Sequence, residues 1–358
     1  MNNLTEHHLR RIASWKRILI ALALVLAVAS IFSLNVGFSQ IPFQKVIAVL
    51  LQNVPGVNQA LNLPELSPAE SAILLQVRLP RIIAGILVGA ALSVGGVVFQ
   101  AIFRNPMADP YVIGVLSGAA VGGVAAIAFG LGATLLGPFA VPVMAFLGAS
   151  LTVILVYRLA RIGGETPAMT LLLSGIAISI VLSAFVTLTI FLVDPYNMLQ
   201  GIIFWLIGSL ASMSWTEVVV AGPLILVPAI LINFFARDLN VILLGEEEAK
   251  HLGVDPEFLR KTVLLLASLA VASAVAISGI IGFVGLMIPH IIRLIVGPDH
   301  RILIPASIFG GATYIVVVDA VSRVIYPPLE FPVGVITSLA GAPFFLYLLR
   351  RKKGNYRI

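Results

Sequence analysis

Between Ile82 and Phe103 the chain runs without a single charged side chain, and from Pro110 to Tyr157 it does so again, over a stretch long enough to cross a bilayer twice. Uncharged runs of this length are incompatible with a water-soluble core at ordinary domain size. With 59% hydrophobic and 11% charged residues and a mean hydropathy of +1.08, the whole chain is composed for lipid. Further apolar runs fall at 18–34, 168–193, 216–236, 262–281, 284–296, 302–324 and 332–349. A Gly/Pro turn near 130–138 divides the long stretch in two. The expectation is an all-α, polytopic membrane protein of about ten transmembrane helices, forming a single transmembrane domain over residues 1–358.

The first run also admits a secretory-signal reading, with Ala27-Val28-Ala29 as a cleavage site. It continues through Ile31 and Phe32, which suits a retained span better. Residues 38–77 carry Pro42, Pro55, Pro64 and Pro68 and are too polar to cross, so they are expected as an external interfacial segment. Orientation follows from the cations. With the amino terminus in the cytoplasm, only Lys45, Arg78, Arg81 and Arg323 of the 22 Lys and Arg fall outside, the asymmetry that the positive-inside rule requires. Both termini are therefore expected to be cytoplasmic. The same rule accounts for a net charge of +6 without nucleic acid as a partner; membrane lipid is the expected surroundings.

The chemistry these residues exclude is as informative. Cysteine is absent and the five His are scattered, so no metal site and no cofactor are expected. No GxxxxGK[ST] loop is present to hold ATP, and Gly114–Gly118 lacks the spacing of a nucleophile elbow. The acids sit mainly in loops or, like Asp319, near helix ends. An ion-driven carrier, the alternative reading as an ATP-independent secondary transporter, needs buried ionisable groups that these runs lack. Small residues recur instead, as in Gly85-x-x-x-Gly89, Gly95-Gly96, Gly118-x-x-x-Gly122 and Gly310-Gly311, the pattern of closely packed helices.

One cytoplasmic stretch is too charged for a span yet reads as helix: residues 243–261, LLGEEEAKHLGVDPEFLRK. Glu246, Glu247 and Glu248 suit a first helical turn, Gly253 suits a tight turn, and Ala249 with Leu252 makes a small apolar face. This segment resembles the coupling loop of type II ABC importer permeases, the family that takes up ferric siderophores, haem and cobalamin. Three further blocks resemble that family in the same order: RLPRIIAGILVGAALSVGGVVFQAIFRNPMADPYVIGVLSGA at 78–119, SGIIGFVGLMIPHIIRLIVGPDHRILIPAS at 278–307, and FPVGVITSLAGAPFFLYLLRRKK at 331–353.

The resemblance implies a non-enzymatic importer subunit in the cell (inner) membrane. It implies assembly with a second permease, a further copy in a homodimer or a sister permease in a heterodimer, and with two ATP-binding cassette ATPase subunits. Substrate arrives from a periplasmic or lipid-anchored substrate-binding protein. By the same resemblance Gly245, Glu246, Ala249, Leu252 and Gly253 couple to the ATPase. Arg78, Arg81 and Arg323 dock the binding protein, while Asn105, Pro106, Met107 and, between the fourth and fifth spans, Thr166 form a cytoplasmic gate. Residues 163–170, GGETPAMT, depart from the family pattern. Which substrate is carried, a siderophore, cobalamin, haem or an oxyanion, is not legible in these blocks.

Overall fold

In the computed structural model every residue is described except 1, 38, 40, 52–63, 65, 134–135, 194–197, 328 and 354–358. Much of the expected interfacial segment, part of the 130–138 turn and Arg357 therefore lie outside the described residues. The described chain is helical throughout, with only two isolated bridges, Ile162 with Glu165 and Tyr326 with Leu329.

In chain order the helices are α1 Asn2–Asn35, α2 Phe43–Leu51, α3 Pro68–Ile102, α4 Val115–Ala128, α5 Ala140–Leu159, α6 Ala168–Leu192 and α7 Leu199–Ile207. There follow α8 Trp215–Phe234, α9 Ala236–Ile242, α10 Glu246–His251, α11 Pro256–Ser278, α12 Val284–Val296, α13 His300–Ser322 and α14 Val333–Lys353. Seven of these, drawn from α1, α3, α5, α6, α8, α11 and α13, are long and apolar enough to cross a membrane; α4, α12 and α14 hold shorter apolar helices.

Helix α3 starts well before Ile82. Ser67 caps it, accepting from the Glu70 amide while Glu70 accepts from the Ser67 amide, and Pro68 occupies the first turn, where its missing N–H costs nothing. Residues Ile73–Arg78 widen into a π turn. Just downstream, Pro80 cannot donate, and in the π register its amide would have served the Leu75 carbonyl. Trp215 supplies the missing donor, its Nε1 lying 2.8 Å from that oxygen.

α3 is also the axis of the bundle, with 89% of its most apolar window buried. It packs against α1, α8, α11, α12 and α13. At two crossings the backbones nearly touch: a Cβ on Gly89 would stand 2.1 Å from the Gly311 carbonyl oxygen, and one on Gly96 1.8 Å from that of Gly285. Such approaches let dispersion and weak Cα–H contacts accumulate where lipid offers no hydrophobic drive for helix association. α6 is the opposite case, with only 11% of its window buried. Ile180, Phe191 and Leu192 project away from the bundle, so this face meets lipid or another protein.

Candidate coupling and docking sites

The charged side chains gather at the two ends of the bundle. One end carries α9, α10 and the first turn of α11. Gly245 opens α10 at φ +146°, a backbone conformation that favours glycine and strains any residue with a Cβ. Glu246, Glu247 and Glu248 occupy the first turn, Lys250 and His251 the last, both favourable to the helix dipole. Gly253 turns the chain at φ +83° in open space, and Asp255 then caps α11 through the Glu257 and Phe258 amides. Ala249 and Leu252 do not share a face. Ala249 is fully buried, whereas Leu252 is 62% exposed.

Two residues of α11 that sequence reasoning left as part of the loop link this segment to Thr166. Arg260 is only 2% exposed. One nitrogen of its guanidinium meets the Glu246 carboxylate, while the other donates to the Thr166 carbonyl at 2.7 Å and lies 3.3 Å from Glu257. The Glu257 carboxylate in turn accepts from the Thr166 amide at 3.1 Å, from the Thr166 hydroxyl at 2.5 Å and from the Tyr157 hydroxyl at 2.6 Å. A buried guanidinium demands such satisfaction, because an unpaired charge there is costly. The local reason Thr166 sits here is a two-residue hairpin: Ile162 and Glu165 pair both ways around Gly163 and Gly164, each at positive φ.

Asn105, Pro106 and Met107 form the turn after α3. Arg104 enters it at φ +46°, and the Asn105 side-chain oxygen accepts from the Met107 amide at 2.9 Å. A cavity of about 330 Å³ separates this turn from Leu243, Arg293 and His300. Residues 243–261 are thus flanked by both expected gate elements, through the Arg260 and Glu257 contacts on one side and through the cavity beside Leu243 on the other. Among the described residues no hydrogen bond or ion pair joins Thr166 to Asn105–Met107.

The same end also fastens α1. Arg11 reaches Asp299 at 3.0 Å, and Trp15 lies between the guanidinium groups of Arg11 and Arg301, 4.8 and 5.2 Å from its ring. Hydrogen bonding from Arg301, with Asn240 adding to it, holds the Asp299 carboxyl well below the usual carboxylate range.

Arg78, Arg81 and Arg323 converge at the opposite end, and all three are buried. Arg78 donates to the Leu34 and Ser39 carbonyls. Arg81 forms the central pair, with Asp319 at 2.8 Å and with Glu330 at 2.7 Å. Arg323 donates to Ser33 and the Val36 carbonyl and lies 3.4 Å from Asp319. Burial pushes its guanidinium down to about 10, still cationic at neutral pH. Glu330, whose side chain is 38% exposed, is the group of this cluster open to solvent, and it was not singled out from sequence. The signal for it is conditional: a buried Arg pair needs more than one carboxylate, and Glu330 is the nearest acid after Asp319 in the chain.

A bundle of apolar helices around one buried axis, with its ion pairs gathered at the two ends, is that of a multi-pass membrane protein. Residues 24–351 match the FecCD transport family, and the chain belongs to it; it is the non-catalytic permease component of an ABC importer. It is 45% identical over 279 residues to the cobalamin import system permease protein BtuC of Halobacterium salinarum, covering 77% of this chain and 73% of that one. It is 41% identical over 283 residues to the hemin transport system permease protein HmuU of Yersinia pestis, covering 78% and 84%. Its fold is similar to a solved inward-facing metal-chelate type ABC transporter at a TM-score of 0.81 and 36% identity, over 94% of this chain and 99% of that one.

Proposed function

We propose that this permease carries a metal chelate, such as cobalamin, haem or a ferric siderophore, inward between two copies of itself. The cargo arrives from a substrate-binding protein outside, and two ATPase subunits inside drive the cycle. In this reading α4, α12 and α14 complete a ten-span bundle with both termini cytoplasmic, which sets the Arg260 end inside and the Arg81 end outside. The cargo assignment draws on the cobalamin and hemin relatives and on the metal-chelate structure.

The observation that carries the mechanism is the Glu246–Arg260–Thr166 linkage. An ATPase pressing on Glu246, Leu252 and Gly253 moves α10, and Arg260 with Glu257 transmits that movement to the Thr166 loop within one set of hydrogen bonds. Gly245 supplies the bend, and Ala249 anchors α10 to the bundle. Asn105, Pro106 and Met107 form the second gate element, across the cavity from Leu243. A partner shifts such an equilibrium only by binding one state better than the other, and a stiff link makes that preference felt at the gate.

The test is coupled transport in proteoliposomes holding the permease, its ATPase and its binding protein. Arg260→Ala is expected to leave ATPase association intact while cutting cargo moved per ATP by about tenfold, the effect of losing roughly 1.4 kcal/mol of coupling. Glu246→Arg combined with Arg260→Glu is expected to restore part of it. Unchanged transport per ATP in Arg260→Ala would sink the linkage. Running the same vesicles with cobalamin, haem and a ferric siderophore identifies the cargo as the one that stimulates hydrolysis.

At the outer end we assign docking to Arg78, Arg81 and Arg323, with Glu330 holding the position an incoming carboxylate takes. Its partial exposure supports this.

A further inference from the structure

A second groove, also about 330 Å³, opens between α5 and α11 beside the Gly163–Gly164 hairpin. Its walls include Val153, Ile154 and Leu265, and its rim carries Arg158, Arg161 and Lys261. Ile154 and Leu265 are exposed in the single chain. Among the described residues these three cations, like Arg78, have no carboxylate partner. Arg81, Arg260, Arg301 and Arg323 each face a carboxylate, whereas among the described residues none lies within ion-pair distance of Arg158, Arg161 or Lys261. The hydrogen bond seen for Arg161 is a 3.3 Å contact to the Gly164 carbonyl.

Three like charges crowded at one rim repel each other until an anion joins them, and the apolar walls beneath ask for an apolar body attached to that anion. A soluble phosphate would leave the walls unused; an acidic protein surface would leave the groove unfilled. We propose that the groove binds an anionic phospholipid, its phosphate among Arg158, Arg161 and Lys261 and an acyl chain along Ile154 and Leu265. Basic recesses between helices at the cytoplasmic surface are suited to anionic headgroups. The inference rests on the orientation proposed above, which sets this rim inside. A lipid held here ties α5 to α11 next to the Tyr157–Glu257–Thr166 contacts.

The test is native mass spectrometry and a lipid-binding titration on the full chain, using phosphatidylglycerol, phosphatidylcholine and inorganic phosphate as separate probes. The wild type is expected to retain phosphatidylglycerol, and the triple variant R158Q/R161Q/K261Q to bind it about a hundredfold more weakly, at about 0.7 of a decade per cation. Ile154→Trp, which fills the groove without altering charge, is expected to weaken it as well. Phosphatidylcholine should not substitute, and inorganic phosphate should not compete. Equal retention in the triple variant overturns the proposal, as does equal competition by phosphate. So does loss of ATPase association with lipid binding unchanged, which would give these cations to the ATPase. Symmetric nanodiscs present the lipid on both sides, so retention there does not depend on the orientation of the chain, whereas labelling of a Gly163→Cys variant from one side only does; the two readings fail separately.

Discussion

At the scale of single residues, the outer cluster sets the clearest expectations. Arg81 and Asp319 are both buried and face each other at 2.8 Å, so removing one partner strands the other charge. Asp319→Ala is expected to destabilise the chain by about 3–5 kcal/mol, read as a lower melting temperature in detergent. Glu330→Gln removes a half-exposed carboxylate and should cost under about 1 kcal/mol. It also takes away a negative charge competing for Arg81, so association with the binding protein should become faster, most visibly at low salt. Slower association, or none of this salt dependence, would return the three arginines to a purely internal role.

At the scale of elements, the π turn in α3 has a testable energetic content. Trp215→Phe keeps an aromatic side chain but removes the donor to the part-buried Leu75 carbonyl, at a cost of about 0.5–1.5 kcal/mol for the lost bond; thermal unfolding of that variant checks it. The elements also show what the amino-acid sequence conveys. Apolar runs such as 168–193 and 284–296 were legible because lipid imposes hydropathy directly, and α6 and α12 occupy them with little adjustment. The run at 262–281 was not fully legible at its start. α11 begins at Pro256, behind the Asp255 cap, and its first-turn charges Glu257 and Arg260 are satisfied by Thr166, Tyr157 and Glu246, partners up to 100 residues away in the chain. The same distance hid the link between the 243–261 segment and the Thr166 loop. α7 was missed because nine residues are too few to register as a span, and the π turn because ILLQVR at 73–78 reads equally well as an α turn.

At the scale of the whole molecule, the proposed topology is open to a direct measurement, helped by the absence of cysteine. Ser39→Cys and Glu247→Cys, made separately, place one thiol at each end of the bundle on solvent-facing residues. A membrane-impermeant maleimide applied to intact cells is expected to label the first and spare the second until the membrane is opened. The reverse pattern would invert the orientation, and with it the assignment of the Arg81 end to docking and the Arg260 end to coupling. The exposed face of α6 belongs to this scale too, since an apolar surface of that kind is completed only by lipid or by a second copy.

The glycine crossings of α3 bear on how such a molecule can move. Where Gly89 meets Gly311 and Gly96 meets Gly285 the backbones are in contact, and the side chains that cross there are tied in: Ser93 sits against Gly311, and Gln100 donates to the Gly285 and Leu286 carbonyls. Near the Arg81 end, α3 and α13 are pinned by the Arg81–Asp319 pair. Bolted to α13 at one end and to α12 towards the other, α3 has no free length along which to slide, so it and its two partners travel as one rigid body and carry the turn of Asn105, Pro106 and Met107 with them.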